Sequence, residues 1–169
     1  ATGKPQLLIL NDGLLHEYGM PDTWFRSEEA LGILSGNAIN GNNPPIAMAY
    51  AGHQFGHRVP VLGDGRAHML GQMQTANGIV DVQLKGSGPT SFSRGGDGRA
   101  TLSSALREYI VSEAMAGLGI PTTRSLAIIK TGDKVFREQA EPGGILARTA
   151  LSHVRVGSFQ LAADSPNDG

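Results

Sequence analysis

The feature of this sequence that most limits its possible folds is a glycine-rich loop that connects a β-hairpin to a helix. Alternating apolar residues predict strands over His68–Gln74 and Ile79–Lys85, and the Asn77-Gly78 pair between them is a strong hairpin signal. The loop Gly86–Gly98 follows directly, and amphipathic spacing then predicts a helix over Thr101–Leu118. This order of elements predicts an α+β protein with a mostly antiparallel sheet. The apolar positions of the predicted helix are Leu102, Ala105, Leu106, Tyr109 and Ile110.

Shorter elements are predicted on the carboxy-terminal side of this helix. A second hairpin is expected from Arg124–Ile129 and Lys134–Gln139, which flank the turn residues Thr131-Gly132-Asp133. Gly144–Ala150 predicts a further strand, and Ser152 is the expected cap of a closing helix.

The first 45 residues are expected to form an irregular lead-in segment with one short helix. That helix is predicted at about Glu28–Leu34, with Ser27 as its N-cap. The cluster of turn-forming residues Asn40–Pro45 predicts an internal boundary. We therefore divide the chain into a lead-in segment, residues 1–45, and a folded domain, residues 46–169.

Composition excludes several classes of protein. In 169 residues, 40 % are hydrophobic, and no run approaches the ~18 apolar residues of a membrane span. The chain has no Cys, so it holds no disulfide framework. Its net charge of −1 excludes a globally basic nucleic-acid binder. No signal-peptide pattern is present at Ala1, which predicts a cytoplasmic location if the source is bacterial.

Positive charge and glycine concentrate in the same part of the chain. Residues 48–107 carry six Lys or Arg against three Asp, a net charge of +3. One pentapeptide, Gly-Asp-Gly-Arg-Ala, occurs twice in this stretch, at Gly63–Ala67 and at Gly96–Ala100. Glycine allows a backbone to approach an anion closely, and Arg adds a charged fork. The second copy also precedes the predicted helix, whose amino terminus favours anions. Each copy is therefore a candidate anion cradle; the alternative is a pair of tight turns with exposed Arg.

Lys85 and Glu108 form a second candidate constellation. Lys85 ends the strand that enters the loop, and strand alternation is expected to place it on the same face as Gln83. Glu108 lies 23 residues later in the predicted helix. In the amino-terminal lobe of protein kinases, a Gly-rich turn, a strand Lys and a helix Glu follow one another in this order, and the pair holds the Lys against nucleotide phosphates. We expect Lys85 and Glu108 to form an ion pair; the alternative is a solvated Lys and an exposed Glu.

His53 and His57 have the spacing of two zinc ligands on one helix face. Gly52 and Gly56 disfavour a helix, and no third ligand is apparent, so a structural role is expected for both histidines.

Seven blocks between Asn43 and Phe159 carry a resemblance to a known family: Tyr50–Gly56, Leu62–Ala67, Gln83–Thr90, Ser93–Ala100, Arg107–Glu108, Ser112–Met115 and Gly119–Arg124. Together they resemble the selenoprotein O family, also called the YdiU family, whose members are pseudokinases that act as protein adenylyltransferases. The resemblance implies a kinase-like amino-terminal lobe. It also implies that ATP binds turned round relative to ordinary kinases, so that AMP passes to Ser, Thr or Tyr hydroxyls of proteins.

The resemblance also assigns site residues in this chain. Glu108 would be the partner of Lys85, and Arg148 and Arg155, which have no local signal, would face the same cavity as Lys85 and the Gly63–Arg66 turn. The nucleotide contacts that it implies are Gly63, Gly65, Arg66, Lys85, Asp97, Gly98, Arg148 and Arg155.

Members of that family are far longer, and their base Asp and their ligands for Mg or Mn lie in a carboxy-terminal lobe. Here no His-Arg-Asp or Asp-Phe-Gly occurs, and no Asp has an Asn five residues later. The chain is therefore expected to be the first lobe, cut off near Gly169, with no catalytic base or metal ligand of its own and no activity in isolation.

The expected partners are a nucleotide and protein substrates, and neither a membrane nor a nucleic acid. One alternative is a kinase that transfers the γ-phosphoryl group, which the same lobe could serve. A second is an Arg/Gly-rich RNA-binding module, which an aromatic content of 5 % disfavours because few stacking platforms are present.

Overall fold

The computed structural model describes residues 2–39 and 44–164. Of the predicted boundary Asn40–Pro45, residues 40–43 lie outside this description. The strands are β1 Gln6–Leu10, β2 Gly52–Gln54, β3 His57–Val59, β4 Ala67–Thr75, β5 Gly78–Lys85, β6 Ala100–Thr101, β7 Arg124–Phe136 and β8 Ala140–Ala150. The helices are α1 Asp12–Glu17, α2 Asp22–Phe25, α3 Glu28–Leu34, α4 Leu102–Gly117 and α5 Val156–Asp164.

Six of the strands form one antiparallel sheet. Its order is β1-β7-β8-β5-β4, and β6 pairs with β8 beside that path. Strands β2 and β3 form a separate antiparallel hairpin. The observed class is therefore α+β with a mainly antiparallel sheet and a helix packed on it, as the sequence predicted.

The predicted hairpin and the predicted long helix are both confirmed. The connection between β4 and β5 consists of Ala76 and Asn77, and it is closed by the Thr75–Gly78 pair. Helix α4 begins after Thr101, whose hydroxyl accepts a hydrogen bond from the Ser104 amide. Such a side-chain cap satisfies one of the amides that a helix start leaves unpaired.

The predicted second hairpin is wrong. Strand β7 runs through the expected turn, and Thr131–Asp133 form a bulge opposite Gly143 instead. Gly132 has a φ of +80°, which glycine adopts without strain. The Thr131 carbonyl accepts a hydrogen bond from the Lys4 amide at 3.1 Å, so the amino-terminal segment occupies the bulge. The turn lies at residues 137–139, and β8 therefore begins earlier than predicted.

The amino-terminal segment is more regular than the sequence indicated. Helix α3 has the predicted bounds, and the Ser27 hydroxyl accepts from the Ala30 amide at 3.1 Å. In addition, this segment forms β1, which pairs with β7, and helices α1 and α2. Leu14, Leu15 and Phe25 are buried in the core. Elements this short have little intrinsic stability and depend on tertiary packing, which periodicity does not reveal.

The sheet buries both of its faces. One face carries the main core, in which α1–α3 pack on alternate residues of the central strands such as Ile129, Ile145 and Leu84. On the other face Ala105 of α4 packs against Ile128 and Leu146. Leu102, Leu106 and Tyr109 pack there as predicted, whereas Ile110 is 65 % exposed.

The closing helix α5 begins at Val156. Ser152 does not cap it, because the Ser152 hydroxyl accepts from the Val154 amide, ahead of the helix. The Ala51 amide donates to the Gly157 carbonyl at 2.9 Å and connects α5 to the segment before β2. Among the described helices, none is long and apolar enough to cross a membrane.

If residues 6–34 belong to the core, truncating a buried side chain there must destabilise the whole fold. We expect Leu14→Ala to lower the free energy of unfolding by about 2–5 kcal/mol, because it removes buried methyl groups and leaves a cavity. Leu8→Ala is the control, since Leu8 is 49 % exposed. Denaturant unfolding of both variants measures the difference. Equal, small effects would contradict the assignment of this segment to the core.

Candidate functional site

The site lies in a cleft of about 470 Å³ beside the sheet. Its walls come from the turn before β4, the end of β5, the loop between β5 and β6, strand β8 and the segment before α5. The structure brings together in this cleft every residue that the resemblance assigned to nucleotide contact: Gly63, Gly65, Arg66, Lys85, Asp97, Gly98, Arg148 and Arg155.

An ion pair between β5 and α4 lies behind the cleft. The Lys85 ammonium Nζ is 2.5 Å from Glu108 Oε2, which confirms the predicted pair. The other carboxylate oxygen, Glu108 Oε1, is 2.7 Å from Arg148 Nη1. One carboxylate therefore holds two cations that come from neighbouring strands of the sheet.

Burial and charge shift the pKa values of all three groups. Burial lowers the pKa of the Lys85 ammonium, and its hydrogen bond to Glu108 offsets only part of that shift. Burial raises the pKa of the Glu108 carboxyl, but Lys85 and Arg148 together outweigh it, so the pKa lies below its usual range. Burial also lowers the pKa of the Arg148 guanidinium. The Glu108 carboxylate has two cationic partners, whereas Lys85 and Arg148 share this single carboxylate.

A buried amide lies next to Arg148 on the same face of the sheet. Gln83 is fully buried, and its carbonyl accepts from Arg148 Nε at 3.0 Å and from Nη2 at 2.5 Å. The Gln83 amide nitrogen donates to Asp64 Oδ2 at 3.1 Å. Strand alternation indicated that Gln83 shares a face with Lys85, but no signal in the sequence marked it as a site residue.

Asp64 is a buried carboxylate at the floor of the cleft. It is 4 % exposed, and its Oδ1 accepts from the Tyr50 hydroxyl at 3.1 Å and from Arg155 Nη2 at 3.2 Å. The Arg155 guanidinium also lies over the Tyr50 ring, 4.7 Å from its centre. Burial, together with the negative charge of Asp64, raises the pKa of the Tyr50 hydroxyl. Tyr50 and Asp64 are site residues that the sequence analysis did not identify.

The two glycines Gly63 and Gly98 are required by packing within the walls of the cleft. Gly63 has a φ of +63°, and a Cβ there would lie 2.2 Å from the Phe92 ring. Gly98 also has a φ of +63°, and a Cβ there would lie 2.0 Å from the Gly88 carbonyl oxygen. Any side chain at either position would displace the glycine-rich loop.

The second copy of the repeated pentapeptide precedes helix α4, as expected, but it does not supply the cap of the helix. Ala100 lies in β6, and Thr101 rather than the glycine-rich turn caps α4. The Asp97 carboxylate instead bonds both terminal nitrogens of Arg137, at 2.9 and 3.0 Å. The hydrogen bond from Arg137 lowers the pKa of the Asp97 carboxyl. Arg137, which sequence reasoning missed, braces the loop against the turn after β7.

Cations outnumber carboxylates in the walls of the cleft. The two carboxylates are Asp64 and Asp97, and the seven cationic side chains are Arg66, Lys85, Arg94, Arg99, Arg137, Arg148 and Arg155. Arg66 forms no ion pair with a described residue, and its charge helps to lower the pKa of Lys85. Like charges that converge in a partly enclosed space favour an anionic ligand.

The two histidines with zinc-ligand spacing lie on separate strands. His53 and His57 are in β2 and β3, and both are exposed. Within residues 2–39 and 44–164, no group of three or more His, Asp or Glu side chains is arranged to hold a metal ion.

A third histidine, His153, is buried beside the cleft. It is 6 % exposed, and neither ring nitrogen has a hydrogen-bond partner among the described residues. Its Nδ1 is 3.9 Å from Asp81 Oδ2, too far for a hydrogen bond. Burial, followed by the positive charge of Arg148, lowers the pKa of His153 to about 4.

This shift predicts a loss of stability in acid. Between pH 6.5 and 4 the unfolded chain binds a proton at His153 that the folded protein does not bind, so the free energy of unfolding falls on acidification. We expect His153→Leu to remove about 2 kcal/mol of the decrease between pH 7 and pH 4.5. Denaturant unfolding at the two pH values measures it, with His57→Leu as the exposed control. An unchanged decrease in His153→Leu would contradict the assignment.

Comparison with known proteins shows the family to which this chain belongs. The family described as protein adenylyltransferase SelO matches residues 2–167. A protein nucleotidyltransferase YdiU of Shewanella denitrificans is 62 % identical over 164 residues, which are 96 % of this chain and 32 % of the relative. The YdiU proteins of Mycolicibacterium smegmatis and Halalkalibacterium halodurans are 57 % and 53 % identical, over 94 % and 97 % of this chain and 33 % of each relative. The chain thus spans about a third of the length of these relatives. Because the match covers nearly all of its residues, the chain belongs to the protein adenylyltransferase SelO family.

Proposed function

We propose that this chain is the ATP-binding lobe of a protein adenylyltransferase, which transfers AMP from ATP to Ser, Thr or Tyr hydroxyls of proteins. The observation that carries the proposal is the convergence of Arg66, Lys85, Arg148 and Arg155 on one cleft. A triphosphate is the kind of ligand that such a set of cations fits, because it carries several negative charges in a row. The family to which the chain belongs supports the same reaction.

The lobe has the parts of a kinase amino-terminal lobe in the same order. A glycine turn comes before β4, a Lys ends β5, and α4 carries the Glu that bonds this Lys. In our proposal residues 46–169 make up this lobe. Residues 1–45 precede it, and helices α1–α3 within them complete the core of the sheet.

The cleft fits the phosphates of ATP in size and charge. Its volume of about 470 Å³ lies within the range of small-ligand sites. The arginines and Lys85 would bind phosphate oxygens. The turn and the loop would line the nucleotide with little side-chain bulk, and Glu108 would hold Lys85 in place. The proposed contacts are Gly63, Gly65, Arg66, Lys85, Asp97, Gly98, Arg148 and Arg155.

In our proposal the catalytic base and the metal ligands lie in the two thirds of the relatives that this chain does not span. Transfer to a hydroxyl needs a base that accepts its proton, and nucleotide phosphates are usually bridged by a metal. We propose an Asp as the base and further Asp and Asn side chains as ligands of Mg or Mn, all downstream of residue 169. The isolated chain would then bind ATP weakly and transfer nothing.

The reaction is tested with ATP labelled separately at the α and the γ phosphate. With the full-length protein and a divalent metal, label from the α position should enter protein, and label from the γ position should not. Entry of γ label alone would instead show phosphoryl transfer by a kinase. Robust α-label transfer by the 169-residue chain alone would contradict the assignment of base and metal to the missing part.

Removing the Lys85 charge tests the role of the cleft. We expect Lys85→Ala in the full-length protein to lower the rate of AMP transfer by about 10²-fold, because a preorganised charge beside the phosphates is lost. Lys134→Ala is the matched control, since Lys134 is exposed on β7. Thermal unfolding of both variants shows whether the fold is intact. A folded Lys85→Ala protein with undiminished transfer would contradict the proposal.

A further inference from the structure

We propose that Gln83 and Asp64 form a positioning pair that holds Arg148 and Arg155 toward the nucleotide phosphates. Among the described residues, Glu108 is the carboxylate that forms an ion pair with Arg148, and Gln83 adds no further charge. This inference rests on the proposed ATP-binding function of the cleft. It adds two buried residues that need not touch the nucleotide and act through the arginines.

The orientation of the Gln83 amide follows from its two neighbours. A carboxylate such as Asp64 only accepts hydrogen bonds, and a guanidinium such as that of Arg148 only donates them. The Gln83 nitrogen must therefore face Asp64, and its oxygen must face Arg148, as the 3.1 and 3.0 Å contacts show. Because Gln83 is fully buried, water cannot replace either partner without displacing the side chain.

Asp64 is itself fixed from several directions. Its amide donates to the Met48 carbonyl at 2.9 Å, and its carbonyl accepts from the Thr90 hydroxyl at 2.6 Å. Its carboxylate accepts from Gln83 at one oxygen and from Arg155 at the other. The Asp64 carboxylate thus fixes the orientation of the Gln83 amide, which in turn orients Arg148, and it also holds Arg155 in position.

The neutrality of Gln83 matters for binding an anion. Arg148 uses three of its five N–H groups on Gln83 and Glu108, and two remain for a ligand in the cleft. A carboxylate at position 83 could orient Arg148 equally well, but its negative charge would cancel the positive charge of the Arg148 guanidinium. An amide carbonyl fixes the guanidinium plane and keeps the positive charge available to phosphate.

The test compares ATP with adenosine, which lacks the phosphates, in direct binding to the full-length protein. We expect Gln83→Met, which keeps the length and removes all three side-chain hydrogen bonds of Gln83, to weaken ATP binding by roughly tenfold. Adenosine binding should stay unchanged, because the adenosine part does not depend on the arginines. Gln72→Met is the matched control: Gln72 bonds Asp81 at 3.1 Å in the same sheet but is exposed.

A double-mutant cycle separates positioning from a general structural effect. If Gln83 acts through Arg148, then in an Arg148→Ala background Gln83→Met should change ATP affinity by less than about twofold. A merely structural role would weaken ATP and adenosine binding together and would persist in that background. If Gln83→Met does not fold, as judged by thermal unfolding, Asp64→Asn takes its place, with the same expected loss for ATP alone.

ATP binding by the unmodified protein distinguishes failure of the positioning role from failure of the proposed function. If the unmodified protein binds ATP and the Gln83 and Asp64 variants bind it equally well, the positioning role is wrong and the proposed function stands. A loss of ATP binding in Gln83→Met that is fully retained in the Arg148→Ala background also overturns the positioning role. If the unmodified full-length protein does not bind ATP, both proposals fall together.

Discussion

The carboxylate of Glu108 is the contact on which the cleft depends, because among the described residues it connects helix α4 to both Lys85 and Arg148. It bonds Lys85 at 2.5 Å and Arg148 at 2.7 Å, and both cations lie on adjacent strands whose other face carries the main core. A half-buried carboxylate with two cationic partners is stable as an anion, and the pKa of Glu108 is lowered accordingly. Its two partners retain more positive charge than it can offset, and that excess faces the cleft.

The polar groups behind the cleft form one continuous chain. It runs from Lys85 through Glu108, Arg148, Gln83 and Asp64 to Arg155, and each step is a hydrogen bond or an ion pair. Buried polar groups are costly unless each finds a partner, and a chain of this kind satisfies them mutually. The same requirement makes the arrangement rigid. A ligand that binds the cations therefore meets them already in position and loses little free energy in ordering them.

The sequence predicted the parts of this structure that local rules govern. The Asn-Gly turn and the Ser27 cap each depend on a few neighbouring residues, and strand alternation placed Gln83 and Lys85 on one face. The second hairpin was mispredicted because Gly132 makes a bulge that the distant Lys4 segment fills. Strand β1 and helices α1 and α2 are short and are stabilised by contacts with distant parts of the chain, which hydrophobic periodicity does not reveal. Within the site, Arg148 and Arg155 were placed by family resemblance alone. Asp64 lies in the repeated pentapeptide and Tyr50 in one of the family blocks, but neither was assigned a role, and Arg137 had no signal. The roles of these three residues exist only after folding.

The most direct test of phosphate binding in this cleft is a crystal structure of the full-length protein with a non-hydrolysable ATP analogue and a divalent metal. We expect phosphate oxygens within about 3.2 Å of Lys85 Nζ and of the free nitrogens of Arg148 and Arg155. We also expect the Glu108 and Gln83 contacts to stay intact in the complex. A nucleotide bound elsewhere on the protein would contradict this assignment of the cleft, and so would phosphates that touch none of these three cations.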